Sequence, residues 1–200
     1  MAQLIITNNK KTKQEKMKKL FSLFVMMTFF TLNLFSQAIN PDTVCVGAVG
    51  EQYWVTPTAG STYDWTVNGG GGTITSGQGT DAITVDWGNT GGLFAGALTV
   101  VETNAAGCTD TVTLDVFILV PTITPIGPFC EGDPCVALTG TPAGGVWTGT
   151  GVVLNGGVYE FCPTTSGAGS FNLTYTVNGC SIVTTVDVSP TPNIGPIQHN

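Results

Sequence analysis

Short runs in which apolar and polar residues alternate dominate the chain after residue 40. In "TVTLDVFI" the apolar residues Val112, Leu114 and Val116 fall on one face, and "SFNLTYTV" at residues 170–177 repeats the pattern. A period of two is typical of β-strands. Turn sequences such as "NGGGG", "GNTGG" and "GTPAGG" separate these runs. The pattern predicts an all-β sandwich of short strands without an amphipathic helix.

The first 38 residues form a different kind of segment. Lys18 and Lys19 precede the apolar run "LFSLFVMMTFFTLNLF", and the small residues of "SQA" follow it. A basic start, a short apolar run and a small-residue exit are typical of a secretory signal peptide. The run is shorter than the roughly 20 apolar residues of a membrane span. We therefore predict a signal peptide at residues 1–38 and an exported protein, located outside the cell, at the cell surface or in the periplasm.

Removal of this segment leaves a strongly acidic chain. All six lysines lie within residues 1–19, and there is no arginine. Of the 13 acidic residues only Glu15 is removed, so 12 remain without any Lys or Arg. Nucleic-acid binding requires cationic side chains that displace counterions from phosphates, and anionic membranes attract basic segments. The composition therefore excludes nucleic acid as a partner and makes anionic membrane surfaces poor partners, and no membrane span is expected after cleavage.

The exported part contains an internal repeat. "CTDTVTLDV" at residues 108–116 aligns without gaps with "CSIVTTVDV" at 180–188, and "CVG" at 45–47 corresponds to "CEG" at 130–132. A proline-rich linker, "VPTITPIGP", separates the two copies. We therefore predict a first module at residues 39–120, a second module at 121–189 and a proline-rich C-terminal tail at 190–200.

An even number of cysteines in the exported part indicates a disulfide framework. This composition disfavours a zinc site or a redox pair at "CEGDPC", residues 130–135. The repeat predicts that each module joins its opening cysteine to the one that begins its last strand, and the two remaining cysteines then pair with each other. The predicted bridges are Cys45–Cys108, Cys130–Cys180 and Cys135–Cys162.

Several segments resemble a known family. "STYDWTV" at residues 61–67 and "GTITSGQGTDAITVDWG" at 72–88 resemble PKD-like, immunoglobulin-type domains of exported proteins from gliding, type IX-secreting bacteria. "LTGTPAGGVWTGTGV" and "YEFCPTTSGAGSFNLTYTVNGC" resemble the companion β-sandwich repeat of the same proteins. The resemblance implies two tandem immunoglobulin-like sandwiches that serve as spacers, adhesive modules or fibre subunits. The implied partners are other surface proteins or copies of the chain itself.

The sequence offers little for catalysis. The single histidine, His199, lies next to the C-terminus, and no lysine is available in the exported part for Schiff-base chemistry. No spacing selects a catalytic pair among the carboxylates Asp64, Asp86, Glu102 and Glu160. We therefore predict a protein that is not an enzyme and has no cofactor. Calcium bound by acids such as Asp42, Asp81, Asp86 and Asp110 is the alternative.

The four tryptophans carry the second functional hypothesis. Trp65 in "YDWTV" corresponds to the tryptophan that immunoglobulin-type sandwiches bury. Trp87 in "DWGNTGG" and Trp147 in "GGVWTGTG" lie beside glycine-rich turns, which predicts that these two are exposed. Exposed indoles can stack on sugars, so the alternative function is a carbohydrate-binding module that uses Trp87 and Trp147.

Two further features suggest modification and assembly. "DTV" occurs at residues 42–44 and 110–112 and resembles the Asp-Thr-apolar acceptor of O-glycosylation in those bacteria, with Thr43 and Thr111 as the modified residues. In the tail, Ile194 and Ile197 are apolar without an evident core. They predict an assembly segment that adds to a sheet edge of another subunit.

Overall fold

The computed structural model describes residues 40–199, and nearly all of their regular structure is β-strand. The prediction of an all-β fold is confirmed. The predicted signal peptide at residues 1–38 lies outside the described residues. Within residues 40–199 no helix combines the length and the hydropathy that a membrane crossing requires.

The first module is a two-sheet sandwich. One sheet has the strand order β1-β7-β6-β3 and the other has the order β2-β5-β4. Apolar residues of both sheets meet in one core that contains Trp65 and Trp87. β1 pairs parallel with β7, and all other pairs are antiparallel. The strands are β1 (Asp42–Cys45), β2 (Glu51–Trp54), β3 (Thr62–Val67), β4 (Thr73–Ser76), β5 (Ala82–Asp86), β6 (Gly92–Thr103) and β7 (Thr109–Leu119).

The second module has the same plan with shorter strands. Its three sheets have the strand orders β12-β15-β16-β9, β10-β14-β13 and β11-β8. Strand β9 pairs parallel with the last strand, β16, as β1 does with β7 in the first module. The elements are β8 (Thr122–Ile123), β9 (Phe129–Cys130), β10 (Val136–Ala137), β11 (Gly140–Thr141), β12 (Val146–Thr148), β13 (Val152–Asn155), β14 (Val158–Phe161), helix α1 (Pro163–Ser166), β15 (Gly169–Val177) and β16 (Cys180–Ser189).

The alternation seen in the sequence corresponds to burial in both final strands. On β7, Val116 and Ile118 are buried, while Val112 on the same face is 57 % exposed near the start of the strand. On β16, Val186 and Val188 are buried. The C-terminal half of each of these two strands therefore packs in the core of its module, whereas the N-terminal half of β7 lies outside the core.

The two modules meet end to end. Among residues 40–199, no strand pair crosses from 42–119 to 122–189. Contact between the modules comes from side chains instead. Leu119, at the end of β7, belongs to the buried apolar cluster of the second module, and Cys45 and Phe117 pack against that cluster. We call this contact the junction; Cys45, Phe117 and Leu119 make it from the first module, in the cluster that contains Val177 and Cys180 of the second.

Candidate functional site

A disulfide bridge lies within the second module. Cys135 is bonded to Cys162, with 27 residues of sequence separation, as the sequence predicted. It joins the segment before β10 to the residue that follows β14. Glu160 lies within 4.8 Å of both sulfur atoms. Because both sulfurs are consumed by the bridge, this group lacks the thiolates that a zinc site needs.

The second bridge crosses the junction and corrects two predicted pairings. Cys45 is bonded to Cys180, with a Cα–Cα distance of 5.4 Å and a sequence separation of 135 residues. The predicted bridges Cys45–Cys108 and Cys130–Cys180 are therefore wrong. Cys108 and Cys130 are exposed and free.

Strand direction explains this correction. Because β1 runs parallel to β7, Cys45 lies opposite Leu119, at the end of β7, whereas Cys108 precedes its start. The 11 residues of β7 span roughly 36 Å. The Cα atoms of a disulfide lie no more than about 7 Å apart. The same geometry separates Cys130, opposite Ser189, from Cys180 at the other end of β16.

Two tryptophans predicted to be exposed are buried. Trp87 and Trp147 are each only 4 % exposed, so the predicted sugar-stacking platform does not exist at these residues. The glycine beside Trp87 explains the difference, because a Cβ at Gly72 would lie 2.9 Å from the indole atoms Cε3 and Cζ3. The glycine-rich turn therefore lets the backbone close over the ring. Trp147 packs against Tyr175, with ring centroids 5.0 Å apart.

The other two tryptophans divide between core and surface. Trp65 is buried, as predicted, and its indole N–H donates a hydrogen bond to the carbonyl oxygen of Thr80 at 2.8 Å. Trp54, at the end of β2, is 51 % exposed. Sequence reasoning did not select Trp54. The available signal was its position in "EQYW", where the alternation buries Tyr53 and turns the next residue outward.

Trp87 takes part in a buried polar chain. Its indole N–H donates to the hydroxyl of Tyr53 at 3.1 Å, and that hydroxyl donates to the Oδ2 atom of Asp42 at 3.0 Å. Burial, followed by the neighbouring Asp42 carboxylate, holds the pKa of Tyr53 well above its usual range. These hydrogen bonds join β1 to β2 and so connect the two sheets of the first module.

Substituting Tyr53 with phenylalanine tests this chain. The loss of the hydroxyl leaves the Trp87 N–H and Asp42 without a partner, and we expect a cost of about 1–3 kcal/mol in unfolding free energy at neutral pH. In the unfolded chain tyrosine ionises near pH 10, whereas folded Tyr53 keeps its proton. The contribution of Tyr53 is therefore complete below about pH 10 and falls as the pH rises further. Denaturant unfolding between pH 7 and 11 measures both effects, with Tyr159→Phe as the control. Equal pH dependence of Tyr53→Phe and wild type above pH 10 would contradict the assignment.

Each of the four candidate carboxylates accepts a hydrogen bond from a different residue. The side chain of Gln78 donates to Asp64 at 2.9 Å, and the backbone N–H of Gly50 donates to Asp86 at 2.8 Å. Glu102 accepts from Tyr63, and Glu160 accepts from Asn155 in the second module. In residues 40–199 the group containing Cys135, Cys162 and Glu160 is the only set of three or more ligand-type side chains within mutual reach. No three of the acids named as calcium ligands form such a group in this part of the chain.

The predicted modification and assembly residues are accessible. Thr43 on β1 and Thr111 on β7 are exposed, and both lie in strands. Ile194 and Ile197 are 90 % and 99 % exposed, in a tail that has no regular structure up to residue 199. O-glycosylation and sheet-edge docking of the tail stay predictions.

Comparisons with known proteins agree with this architecture. Residues 33–116 match the family model described as PKD-like domain, which covers the described part of the first module almost to the end of β7. No curated protein matches the chain. The family match and the all-β sandwiches together support the resemblance to PKD-like and immunoglobulin-like modules.

Solved structures with tandem immunoglobulin-type domains are similar to this chain at low identity. They include the insect immune protein hemolin, 14 % identical over 78 % of this chain and 46 % of that one, with a TM-score of 0.37. Sidekick-1 immunoglobulin domains 1–4 are 11 % identical over 78 % and 48 %, with a TM-score of 0.34. Titin domains Z1Z2 in complex with telethonin are 14 % identical over 80 % and 96 %, with a TM-score of 0.30. The chain thus spans less than half of the hemolin structure, and these scores carry no functional argument.

Proposed function

We propose that this chain is an exported, non-catalytic structural or adhesive protein that acts as a spacer or fibre subunit through contacts with other surface proteins or with copies of itself. The observation that supports the proposal best is the Cys45–Cys180 bridge, which locks two sandwich modules end to end. Leu119 reinforces the lock by lying in the apolar cluster of the second module. A spacer needs modules that keep a constant relation to one another, and this junction supplies both a covalent and an apolar restraint.

Disulfide use and charge support the proposed location and partners. Disulfides persist in oxidising compartments, which suits the exterior of the cell, its surface or the periplasm. The described residues contain no Lys or Arg, so no contact with nucleic acid or with anionic lipid is proposed. We place the protein, on its resemblance, among the exported proteins of gliding, type IX-secreting bacteria.

The proposal of a non-catalytic role, without a cofactor, rests on the positions and hydrogen bonds of the candidate reactive side chains. His199 is exposed in the tail, and the carboxylates are engaged one by one in hydrogen bonds with neighbouring elements. Acid–base catalysis needs two such groups converging on one substrate position. The separate hydrogen-bond partners of these carboxylates support a non-catalytic role.

Stretching of single molecules tests the spacer role. When the chain is pulled at its two ends, the Cys45–Cys180 bridge, whose cysteines have a sequence separation of 135, keeps residues 46–179 out of the load path. We expect the oxidised protein to extend only through its terminal segments. After reduction of both bridges it should lengthen by an additional distance on the order of 450 Å, at about 3.5 Å per extended residue.

The Cys108→Ser variant is the matched control, because it removes an exposed thiol and leaves both bridges intact. Its oxidised and reduced extensions should equal those of the wild type. If the oxidised wild type extends as far as the reduced protein, the junction does not bear load and the spacer proposal fails.

A further inference from the structure

We propose that copies of this chain are joined head to tail by a disulfide between Cys130 of one copy and Cys108 of the next, in repetition of the Cys45–Cys180 junction. The inference rests on the proposed structural function and names its partner, a second copy of this chain. Five observations carry it: the equivalence of Cys130 with Cys45, the equivalence of Cys108 with Cys180, the exposure of the hairpin that carries Cys108, the position of the free cysteines at opposite ends, and the sequence of the tail.

Cys130 occupies the same local structure as Cys45. Each ends a strand that runs parallel to the last strand of its module. The N–H of the following residue donates to that last strand at 2.9 Å in both cases, from Val46 to Leu119 and from Glu131 to Ser189. In the turn that follows, the backbone N–H of the residue three positions after the cysteine donates a hydrogen bond to the cysteine carbonyl oxygen at 3.0 Å. The second module thus carries at its far end the arrangement that presents Cys45 at the junction.

Cys108 corresponds to Cys180 in the same way. The two cysteines align without gaps through the strands that follow them, residues 108–116 and 180–188. Each follows a hairpin turn at the start of the last strand: Cys180 is the first residue of β16, and Cys108 immediately precedes β7. In the junction, Cys180 is the partner of Cys45. By the same correspondence, Cys108 is the natural partner for a cysteine placed as Cys130 is.

The exposure of the two hairpins differs in the way that this model of assembly requires. Cys180 is 2 % exposed and Val177 is 5 % exposed, in the same apolar cluster as Leu119 of the first module. The equivalent hairpin of the first module is exposed from residue 104 through 113, including Cys108 and Val112. The hairpin surface that is covered in the second module is therefore exposed in the first module.

Cys108 and Cys130 are not placed to form a disulfide with each other within one chain. Cys108 lies at the end of β7 that is remote from the junction, and Cys130 lies at the end of β16 that is remote from it. The order along the molecule is Cys108, then the Cys45–Cys180 bridge, then Cys130. Such an arrangement gives a heterologous contact, in which two different surfaces meet, and repetition of a heterologous contact builds a filament unless it closes into a ring.

The tail repeats the linker that leads from the first module to the second. Pro190-Thr191 followed by "IGPI" at 194–197 parallels Pro121-Thr122 followed by "IGPF" at 126–129, with one residue fewer between them. In the linker, Ile126 and Phe129 pack against the core of the second module, whereas Ile194 and Ile197 are exposed. The tail therefore carries exposed apolar residues like those with which the linker packs on a module. In the proposed assembly, the first module of the next copy provides the surface for Ile194 and Ile197.

The bond forms by two thiol–disulfide exchanges with a low-molecular-weight disulfide as the oxidant. The Cys130 thiolate attacks the small disulfide, forms a mixed disulfide and releases one thiolate. The Cys108 thiolate of the next copy then attacks the Cys130 sulfur and releases the second thiolate. Two protein thiols lose two protons and two electrons, and these electrons reduce one small disulfide to two thiols.

Non-reducing electrophoresis after incubation with oxidised glutathione tests the proposal. The wild-type protein should give a ladder of dimers, trimers and higher species that collapses to monomer on reduction. Cys108→Ser and Cys130→Ser should each stay monomeric alone. Their equimolar mixture should give a single dimer band, because it contains one Cys130 and one Cys108 able to pair.

Three results would overturn the proposal. These are a wild-type protein that stays monomeric with two titratable thiols per chain, single variants that dimerise as readily as their mixture, and a Cys108–Cys130 bond within one chain found by peptide mapping. Removal of residues 190–200 should slow ladder formation several-fold, and an unchanged rate would overturn the role of the tail. Because the stretching experiment uses single chains, its outcome is independent of this one.

Discussion

Replacing Cys45 and Cys180 together by alanine should lower the free energy of unfolding by about 5 kcal/mol, on a chain-entropy estimate for the bridged loop. The bridge closes a loop with a sequence separation of 135 residues, and a longer loop removes more conformational freedom from the unfolded chain. Residues 39–200 have no Lys or Arg to form ion pairs with their acids, so apolar burial and the two bridges stabilise the fold. Denaturant unfolding followed by tryptophan fluorescence measures the loss.

Two matched pairs of substitutions control for this result. Cys135→Ala with Cys162→Ala opens a loop of only 27 residues, and the same estimate gives a loss of about 3.5 kcal/mol. Cys108→Ala with Cys130→Ala removes exposed free thiols and should change stability by no more than about 0.5 kcal/mol. A larger loss for the short loop than for the long one would show that loop closure does not set the stability.

Replacing Trp147 by alanine should lower the free energy of unfolding by about 3–5 kcal/mol, the usual cost of removing a large buried aromatic side chain. Trp147 is 4 % exposed and packs against Tyr175, which is itself buried. The ring of Tyr175 is enclosed further, since a Cβ at Gly145 would overlap it and its hydroxyl accepts the Gly145 N–H at 2.9 Å. The surrounding backbone is thus positioned to hold the cavity open, so collapse cannot recover the lost contacts.

Trp54→Ala is the control for Trp147→Ala. Trp54 is 51 % exposed, and its loss should cost less than about 1 kcal/mol. The same two variants bear on the carbohydrate alternative, whose predicted platform at Trp87 and Trp147 is buried. On a glycan array, sugar binding by the wild type that disappears in a folded Trp147→Ala protein would contradict the structural interpretation of this residue.

Local patterns allowed some of the candidate site to be predicted. The Cys135–Cys162 bridge followed from the repeat, because these are the two cysteines without counterparts in the first module. The burial of Trp65 followed from the resemblance of "YDWTV" to the strand in which immunoglobulin-type sandwiches bury a tryptophan. Both predictions use information that the sequence contains locally. One uses a short motif, and the other uses the absence of a counterpart in the repeat.

The exposure of the other tryptophans could not be predicted in the same way. A glycine-rich turn beside an indole is compatible with a loop that leaves the ring in solvent, and equally with a backbone that closes over it. The structure shows the second arrangement, because Gly72 allows main-chain atoms to approach Trp87 where a Cβ would not fit. The choice depends on where the turn packs, which the turn sequence does not contain.

The sequence by itself determined the all-β class, the repeat, the acidic character of residues 39–200 and the expectation of disulfides, since each depends on periodicity or composition. Only the tertiary structure decided that Cys45 pairs with Cys180 and that Cys108 and Cys130 are free. The parallel pairing of β1 with β7 and of β9 with β16 places the two cysteines of each module at opposite ends. A strand pattern looks the same whether its neighbour runs parallel or antiparallel. The direction, and with it the bridge from Cys45 to Cys180, arises only when the sheets and the junction between the modules form.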